Sequence, residues 1–81
     1  MIEVELFTRP GCHLCVEMKL ALEQAARGLD VRTTETNIDG DPALAVEYGH
    51  DIPVLLVNGS KAFKHRATAK DLRKRLLMAD R

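Results

Sequence analysis

The stretch that decides the fold lies near the N-terminus and reads Phe7-Thr8-Arg9-Pro10-Gly11-Cys12-His13-Leu14-Cys15. Upstream of it, residues 2–6 alternate between apolar and acidic side chains, which is the period-two pattern of a strand. Downstream of it, apolar residues recur at helical spacing until Gly28, a residue type that favours a helix C-terminus. Because proline and glycine interrupt both patterns, the stretch is predicted to be a strand-to-helix turn.

The rest of the chain predicts five further elements, each from its own local signal. β-Branched residues indicate a second strand, and an acidic cap followed by proline indicates a short second helix. A continuous apolar run, an Asn-Gly turn and capping-box spacing indicate a buried strand, its hairpin partner and a last helix. These elements lie at 31–38, 43–48, 54–57, 60–63 and from Thr68 onward. The order β-α-β-α-β-β-α predicts an α/β fold with a four-stranded mixed sheet flanked by helices.

Length and composition narrow the class of protein. The 81 residues, of which 46% are apolar, suffice for one small core, so a single domain over residues 1–81 is expected. The 12 basic and 12 acidic residues cancel, and aromatic residues make up only 4%. This composition argues against a nucleic-acid binder. Because no apolar run reaches membrane-spanning length and no leader pattern follows Met1, we expect a cytoplasmic protein without membrane association. A monomer is also expected.

The charges are unevenly distributed along the chain. Residues 1–57 carry a net charge of −6, whereas residues 58–81 carry +6. The simplest interpretation of this basic end is a solvated helix face and hairpin. The alternative is a surface that guides an acidic partner protein or an anionic thiol to the site.

Both cysteines lie in the motif Cys12-His13-Leu14-Cys15 at the predicted start of the first helix. The positive end of the helix dipole favours an anion, so Cys12 is expected to have a lowered pKa and to be the nucleophile. Cys15 lies about one helical turn further on and is expected to be the buried, resolving thiol.

Two alternatives compete with redox chemistry for this pair. A structural disulfide would close a loop of about four residues, which stabilises a fold by only ~2 kcal/mol. A zinc site would need two further ligands from His13, His50 and His65, which show no paired spacing. No metal is therefore expected.

Three features together resemble a glutaredoxin-like protein of the thioredoxin fold. They are the turn at residues 7–15, the Ile52-Pro53 pair before an apolar strand, and the Asn58-Gly59 turn after that strand. The resemblance covers nearly the whole chain. Its Arg-Pro-Gly-Cys-His-Leu-Cys turn is similar to that of a small bacterial glutaredoxin-like branch. The resemblance implies a thioredoxin-like, glutaredoxin-type arrangement of the predicted elements.

The resemblance also implies roles for residues outside the cysteine pair. Pro53 matches a cis-proline that faces the two cysteines and leaves the backbone of Ile52 free to pair with a bound substrate. Arg9 matches a basic residue that meets a carboxylate of glutathione. The competing interpretations are a trans-proline at the start of a strand and a solvated surface arginine.

Two segments of the chain depart from the glutaredoxin pattern. His13 and Leu14 stand between the cysteines in place of Pro-Tyr, and residues 64–68 lack the Gly-Gly pair that helps hold the glutamyl end of glutathione. The usual glutathione site is therefore incomplete. A cationic His13 would favour the thiolate of Cys12, whereas a fully solvated His13 would have no such role.

The function predicted from these observations is thiol-disulfide oxidoreductase activity through the Cys12–Cys15 pair. The expected substrate is a disulfide-containing protein or a low-molecular-weight thiol, with no bound cofactor and with glutathione as one candidate reductant. The alternatives are a glutathione-dependent glutaredoxin proper and a non-catalytic adaptor that binds a partner through the basic end.

Overall fold

The element order of the computed structural model, which describes residues 1–79, confirms the predicted β-α-β-α-β-β-α arrangement. A short 3-10 turn at Ile38–Gly40 is the one addition. The elements are β1 (Ile2–Thr8), α1 (His13–Ala25), β2 (Val31–Asn37), α2 (Pro42–Tyr48), β3 (Val54–Val57), β4 (Ser60–Lys64) and α3 (Ala69–Ala79).

The four strands form one mixed sheet in the order β2-β1-β3-β4. β1 and β2 run parallel over their full length, from Ile2 opposite Val31 to Thr8 opposite Asn37. β3 lies antiparallel to β1 on its other side, and β4 continues the sheet as a hairpin partner of β3. β1 is thus an interior strand paired on both sides, whereas β2 is an edge strand, as its weakly apolar sequence predicts.

Hydrophobic residues cover both faces of the sheet. The larger cluster joins β1 and β3 to α1 and α3, and the smaller one lies between the sheet and α2. The larger cluster consists of Ile2, Val4, Leu6, Met18, Leu22, Ala25, Leu55, Val57, Leu72 and Leu76. Because side chains alternate along β1, Leu6 enters this cluster while the next residue, Phe7, enters the smaller one. The end of β1 is therefore held between the two layers of helices.

The last helix, α3, also caps the C-terminal end of α1. Arg73 on α3 donates hydrogen bonds from Nη1 to the carbonyl oxygens of Ala25 (3.0 Å) and Arg27 (2.7 Å). These carbonyls lie at and just beyond the C-terminal end of α1, where helical partners are missing. One residue of the basic end thus has a structural role inside the fold.

The Leu6→Ala variant is expected to lose about 2–5 kcal/mol of unfolding free energy, because Leu6 is fully buried within the larger cluster. Urea denaturation followed by circular dichroism measures this loss. Leu77→Ala is the matched control, since that leucine is 46% exposed on α3 and should change stability by less than about 0.5 kcal/mol. Equal losses in the two variants would contradict the assigned core.

Candidate active site

The turn between β1 and α1 positions the cysteine pair. The Cys12 amide donates to the Arg9 carbonyl oxygen at 3.2 Å, and Gly11 has a φ of +78°. Proline at the second position and glycine with positive φ at the third are typical of a type II turn. Glycine is favoured at position 11 because other residues are strained at this φ. The turn therefore delivers Cys12 directly to the first position before α1.

Cys12 is the N-cap residue of α1. Its backbone is extended (φ −84°, ψ 108°), and its Sγ accepts a hydrogen bond from the Cys15 amide at 3.1 Å. The two sulfur atoms are joined as a disulfide, with the Cα atoms 5.2 Å apart. Cys12 is partly exposed, whereas Cys15 is only 4% exposed. The pair therefore combines one partly exposed cysteine with one buried cysteine.

A shallow groove of about 510 Å³ opens beside the cysteine pair, between the start of α1 and the end of β2. Four residues singled out from the sequence line it together, namely Arg9, Cys12, His13 and Cys15. Four further lining residues were not predicted from the sequence: Val16 and Lys19 from α1, and Glu35 and Asn37 from β2. The signal that could have found the β2 residues is the parallel register, which places Asn37 beside Thr8.

The cationic side chains around this groove have acidic neighbours. Lys19 Nζ lies 3.3 Å from Glu35 Oε2, and Arg9 Nε donates to Asp39 Oδ1 at 2.8 Å. His13 is almost fully exposed, and its Nε2 lies 3.8 Å from a Glu17 carboxylate oxygen. Carboxylates thus offset the positive charges along the groove, and Arg9 already has an internal carboxylate partner.

Ile52 and Pro53 lie at the same end of the sheet but do not line the groove. Their peptide bond is cis, as the resemblance implied. Because Phe7 pairs with Val54, Pro53 precedes β3 beside the point where β1 enters the turn. The Ile52 amide donates to the Tyr48 carbonyl oxygen at 3.1 Å. The Ile52 amide therefore has a partner within the chain, and the pairing of the Ile52 backbone with a substrate stays a prediction.

The loop between β4 and α3 supports Pro53 from the other side. The His65 amide donates to the Pro53 carbonyl oxygen at 2.9 Å. His65 has a φ of +65°, and the Arg66 amide donates to the Lys64 carbonyl oxygen at 2.7 Å, so these three residues form a γ-turn. A histidine in this left-handed region is uncommon and strained. No local pattern in the sequence indicates this conformation.

Tyr48 links the Ile52 loop to the smaller hydrophobic cluster. Its carbonyl oxygen accepts from the Asp51 and Ile52 amides, and its ring stacks on Phe7 with centroids 4.6 Å apart. Lys61 Nζ lies 5.1 Å from the centre of the same ring. Burial of the phenol, aided by the negative charge of Glu47, raises the pKa of Tyr48 above its usual value.

Within residues 1–79, no group of three or more His, Cys, Asp or Glu side chains is arranged to hold a metal ion. No helix in that range has the length and apolar character needed to cross a bilayer.

The fold, with a cysteine pair at the first strand-to-helix turn and a cis-proline before β3, is that of the thioredoxin class. The family described as glutaredoxin-like domain (DUF836) matches residues 3–77, and the chain belongs to this family. The predicted glutaredoxin-like, thioredoxin-fold identity is thereby confirmed.

Three proteins are similar to this chain over most of its length. The uncharacterized protein Rv0508 of Mycobacterium tuberculosis is 37% identical over 62 residues, which cover 70% of this chain and 64% of that protein. A thioredoxin of Methanocaldococcus jannaschii is 32% identical over 65 residues, covering 76% of each chain. The structure of protein XcR50 from X. campestris aligns with a TM-score of 0.80 at 33% identity, over 93% of this chain and 96% of that one. The match thus spans less than two thirds of the mycobacterial protein.

Replacing His65 tests the strain in the γ-turn. His65→Gly is expected to be more stable than His65→Ala by about 1 kcal/mol, because glycine adopts positive φ without the steric cost borne by alanine. Thermal or urea unfolding of the two variants measures the difference. At Gly28, which also has positive φ, glycine should be favoured over alanine in the same way. Equal stability of the two His65 variants would contradict a strained turn.

Absorbance titration tests the environment of Tyr48. Because the chain has one tyrosine and no tryptophan, phenolate absorbance reports this residue alone. Ionisation is expected above the ordinary tyrosine value of about 10. Burial is the larger cause, so Glu47→Gln should lower the pKa only part of the way. Urea-unfolded protein is the control. Titration of the folded protein at the unfolded value would refute the buried site.

Proposed function

We propose that the chain is a thiol-disulfide oxidoreductase, with Cys12 as the nucleophile and Cys15 as the resolving thiol. The observation that carries this proposal is the unequal exposure of the two bonded cysteines at the start of α1. Cys12 is accessible to a substrate, whereas Cys15 is buried beside it. Such an arrangement suits a disulfide that is broken and reformed in each cycle.

The start of α1 favours the reactive form of Cys12. Unpaired amides and the helix dipole place partial positive charge at this end of the helix. The Cys15 amide already points at Cys12 Sγ, so a thiolate there would accept a charge-assisted hydrogen bond. Both effects stabilise the anion relative to the thiol, and the thiolate is the form that attacks disulfides.

The exchange proceeds in two balanced steps. The Cys12 thiolate attacks one sulfur of the substrate disulfide, forming a mixed disulfide and releasing the other substrate sulfur as a thiolate. The Cys15 thiolate then attacks Cys12 Sγ, forming the Cys12–Cys15 disulfide and releasing the second substrate thiol. Two electrons pass from the cysteine pair to the substrate, and the protons lost by the two cysteine thiols pass through solvent to the product thiolates. Two equivalents of an external thiol, with glutathione as a candidate, or one dithiol protein return the pair to its reduced form.

The Ile52-Pro53 segment is proposed to orient the substrate backbone. The cis-peptide lies at the same end of the sheet as the turn, and hydrogen bonds through Tyr48 and His65 hold it from both sides. The Ile52 carbonyl oxygen is the proposed acceptor for a substrate amide. A fixed acceptor near the sulfur lowers the entropic cost of aligning the two disulfide partners.

The environment of Arg9 bears on the choice of substrate. Its ion pair with Asp39 leaves the guanidinium less favourable for the carboxylate of a small anionic thiol. Residues 64–68 also lack the Gly-Gly pair of the glutaredoxin pattern. These features favour a disulfide-containing protein as the substrate and glutathione, at most, as the reductant.

Replacing each cysteine by serine tests the assigned roles. Cys12→Ser should abolish reduction of a small disulfide such as hydroxyethyl disulfide, because no accessible thiol remains. Cys15→Ser should still form the mixed disulfide on Cys12, which mass spectrometry detects, but should not release it. Circular dichroism of both variants controls for folding. Full activity in Cys12→Ser, or an unreactive wild-type protein, would overturn the proposal.

A further inference from the structure

An apolar face on α1 adjoins the reactive cysteine. Cys12, Val16 and Leu20 are spaced four residues apart and therefore lie on one side of the helix, one turn above another. Val16 is 57% exposed and Leu20 is 60% exposed. Together these three residues form the α1 docking face. The remaining large apolar residues exposed within residues 1–79 lie elsewhere: Met1, Val46, Leu77 and Met78.

The groove beside this face continues along the helix. Val16 and Lys19 line it next to the cysteine pair, and Lys19 with Glu35 also lines a second hollow further along α1. The opposite wall is β2, the edge strand of the sheet. Most of β2 is exposed, and its outer edge has no neighbouring strand within residues 1–79. An open strand edge pairs readily with an extended chain.

We infer that this face and the adjoining β2 edge bind an extended segment of the disulfide-containing substrate protein, with apolar side chains close to its reactive cysteine. The inference rests on the proposed function, since Cys12 must meet the substrate disulfide at one end of the face. Continuity with the reactive sulfur points to this occupant, because a chain that is bonded to Cys12 Sγ and paired at its own cysteine with the Ile52 carbonyl oxygen reaches the α1 docking face as it continues past Cys12.

The dimensions set the length of the bound segment. From Cys12 to Leu20 the helix rises about 12 Å, at roughly 1.5 Å per residue. An extended chain covers that distance in about four residues, at roughly 3.3 Å each. The apolar side chains that matter should therefore fall within four residues of the substrate cysteine.

Ion pairs neutralise the charges along the groove. Apolar contacts, and not charge, are therefore expected to decide which substrate segments bind. The ion pairs Lys19–Glu35 and Arg9–Asp39 leave the groove without a strong field of either sign. Exposed ion pairs of this kind contribute little attraction, and salt screens what they contribute. Burial of leucine or valine side chains against Val16 and Leu20 is not screened in this way.

The test uses the full chain carrying Cys15→Ser, so that the first exchange step can be followed alone. Two short peptides carry a cysteine activated as a pyridyl disulfide, flanked by leucine and valine in one and by serine in the other. Attack by Cys12 forms the peptide mixed disulfide and releases thiopyridone, whose absorbance gives the rate. The apolar peptide is expected to react roughly tenfold faster at subsaturating concentration.

Variants identify the surface responsible for this preference. Adding Val16→Ser and Leu20→Ser should reduce the rate ratio to less than about threefold, because the apolar contact is removed. Val46→Ser is the matched control: this valine is 85% exposed on α2, outside the face, and its replacement should leave the ratio unchanged. The ratio should persist at about 0.5 M salt.

The outcomes separate failure of the inference from failure of the proposed function. Equal rates for the two peptides, or an unchanged ratio in the double serine variant, would overturn the docking face while leaving Cys12 chemistry intact. A third peptide with aspartate flanks tests guidance by the basic end. If it reacts fastest and loses that advantage in salt, the docking face is wrong. Absence of reaction with every peptide and with hydroxyethyl disulfide would overturn the proposed function itself.

Discussion

The structure depends on the hydrogen-bonded turn between Arg9 and Cys12. β1 is paired on both sides and packed on both faces, so its end at Thr8 is held firmly by the sheet. The left-handed Gly11 reverses the chain at once and converts that fixed strand end into the start of α1. Because the turn is short and closed by a hydrogen bond, the packing of β1 and α1 sets the position of the Cys12 sulfur.

The opposite side of the site is organised by backbone hydrogen bonds. The Pro53 carbonyl oxygen accepts from His65, and the Ile52 amide donates to Tyr48. These contacts connect the segment before β3 to the end of α2 and to the loop before α3. The strained γ-turn at His65 persists because its amide is part of this network. The strained backbone at His65 thus occurs where it holds the Ile52-Pro53 segment beside the turn that carries the cysteines.

Much of this arrangement was predictable from the sequence because its signals are local. Alternation in β1, the Pro-Gly turn, the Asn58-Gly59 hairpin and the Thr68 cap each depend on neighbouring residues, and the structure has all of them. The Arg9–Asp39 ion pair and the Ile52–Tyr48 hydrogen bond depend on how separate elements pack together. His65 could not be predicted, since tertiary contacts rather than its own preference impose its positive φ. Val16 could not be predicted to line the groove, because an exposed valine on a helix has no distinctive sequence pattern.

The hydrogen bonds from Arg73 to the end of α1 join residues separated by 46 and 48 positions. During synthesis the ribosome releases α1 long before α3, so the last carbonyls of α1 must first be satisfied by water. β1 likewise gains its second neighbour only when β3 emerges. The helix that carries the cysteines at its beginning is therefore completed at its other end by residues that are synthesised well after it. Consolidation of the fold waits for α3, because this helix supplies both core contacts and the cap of α1.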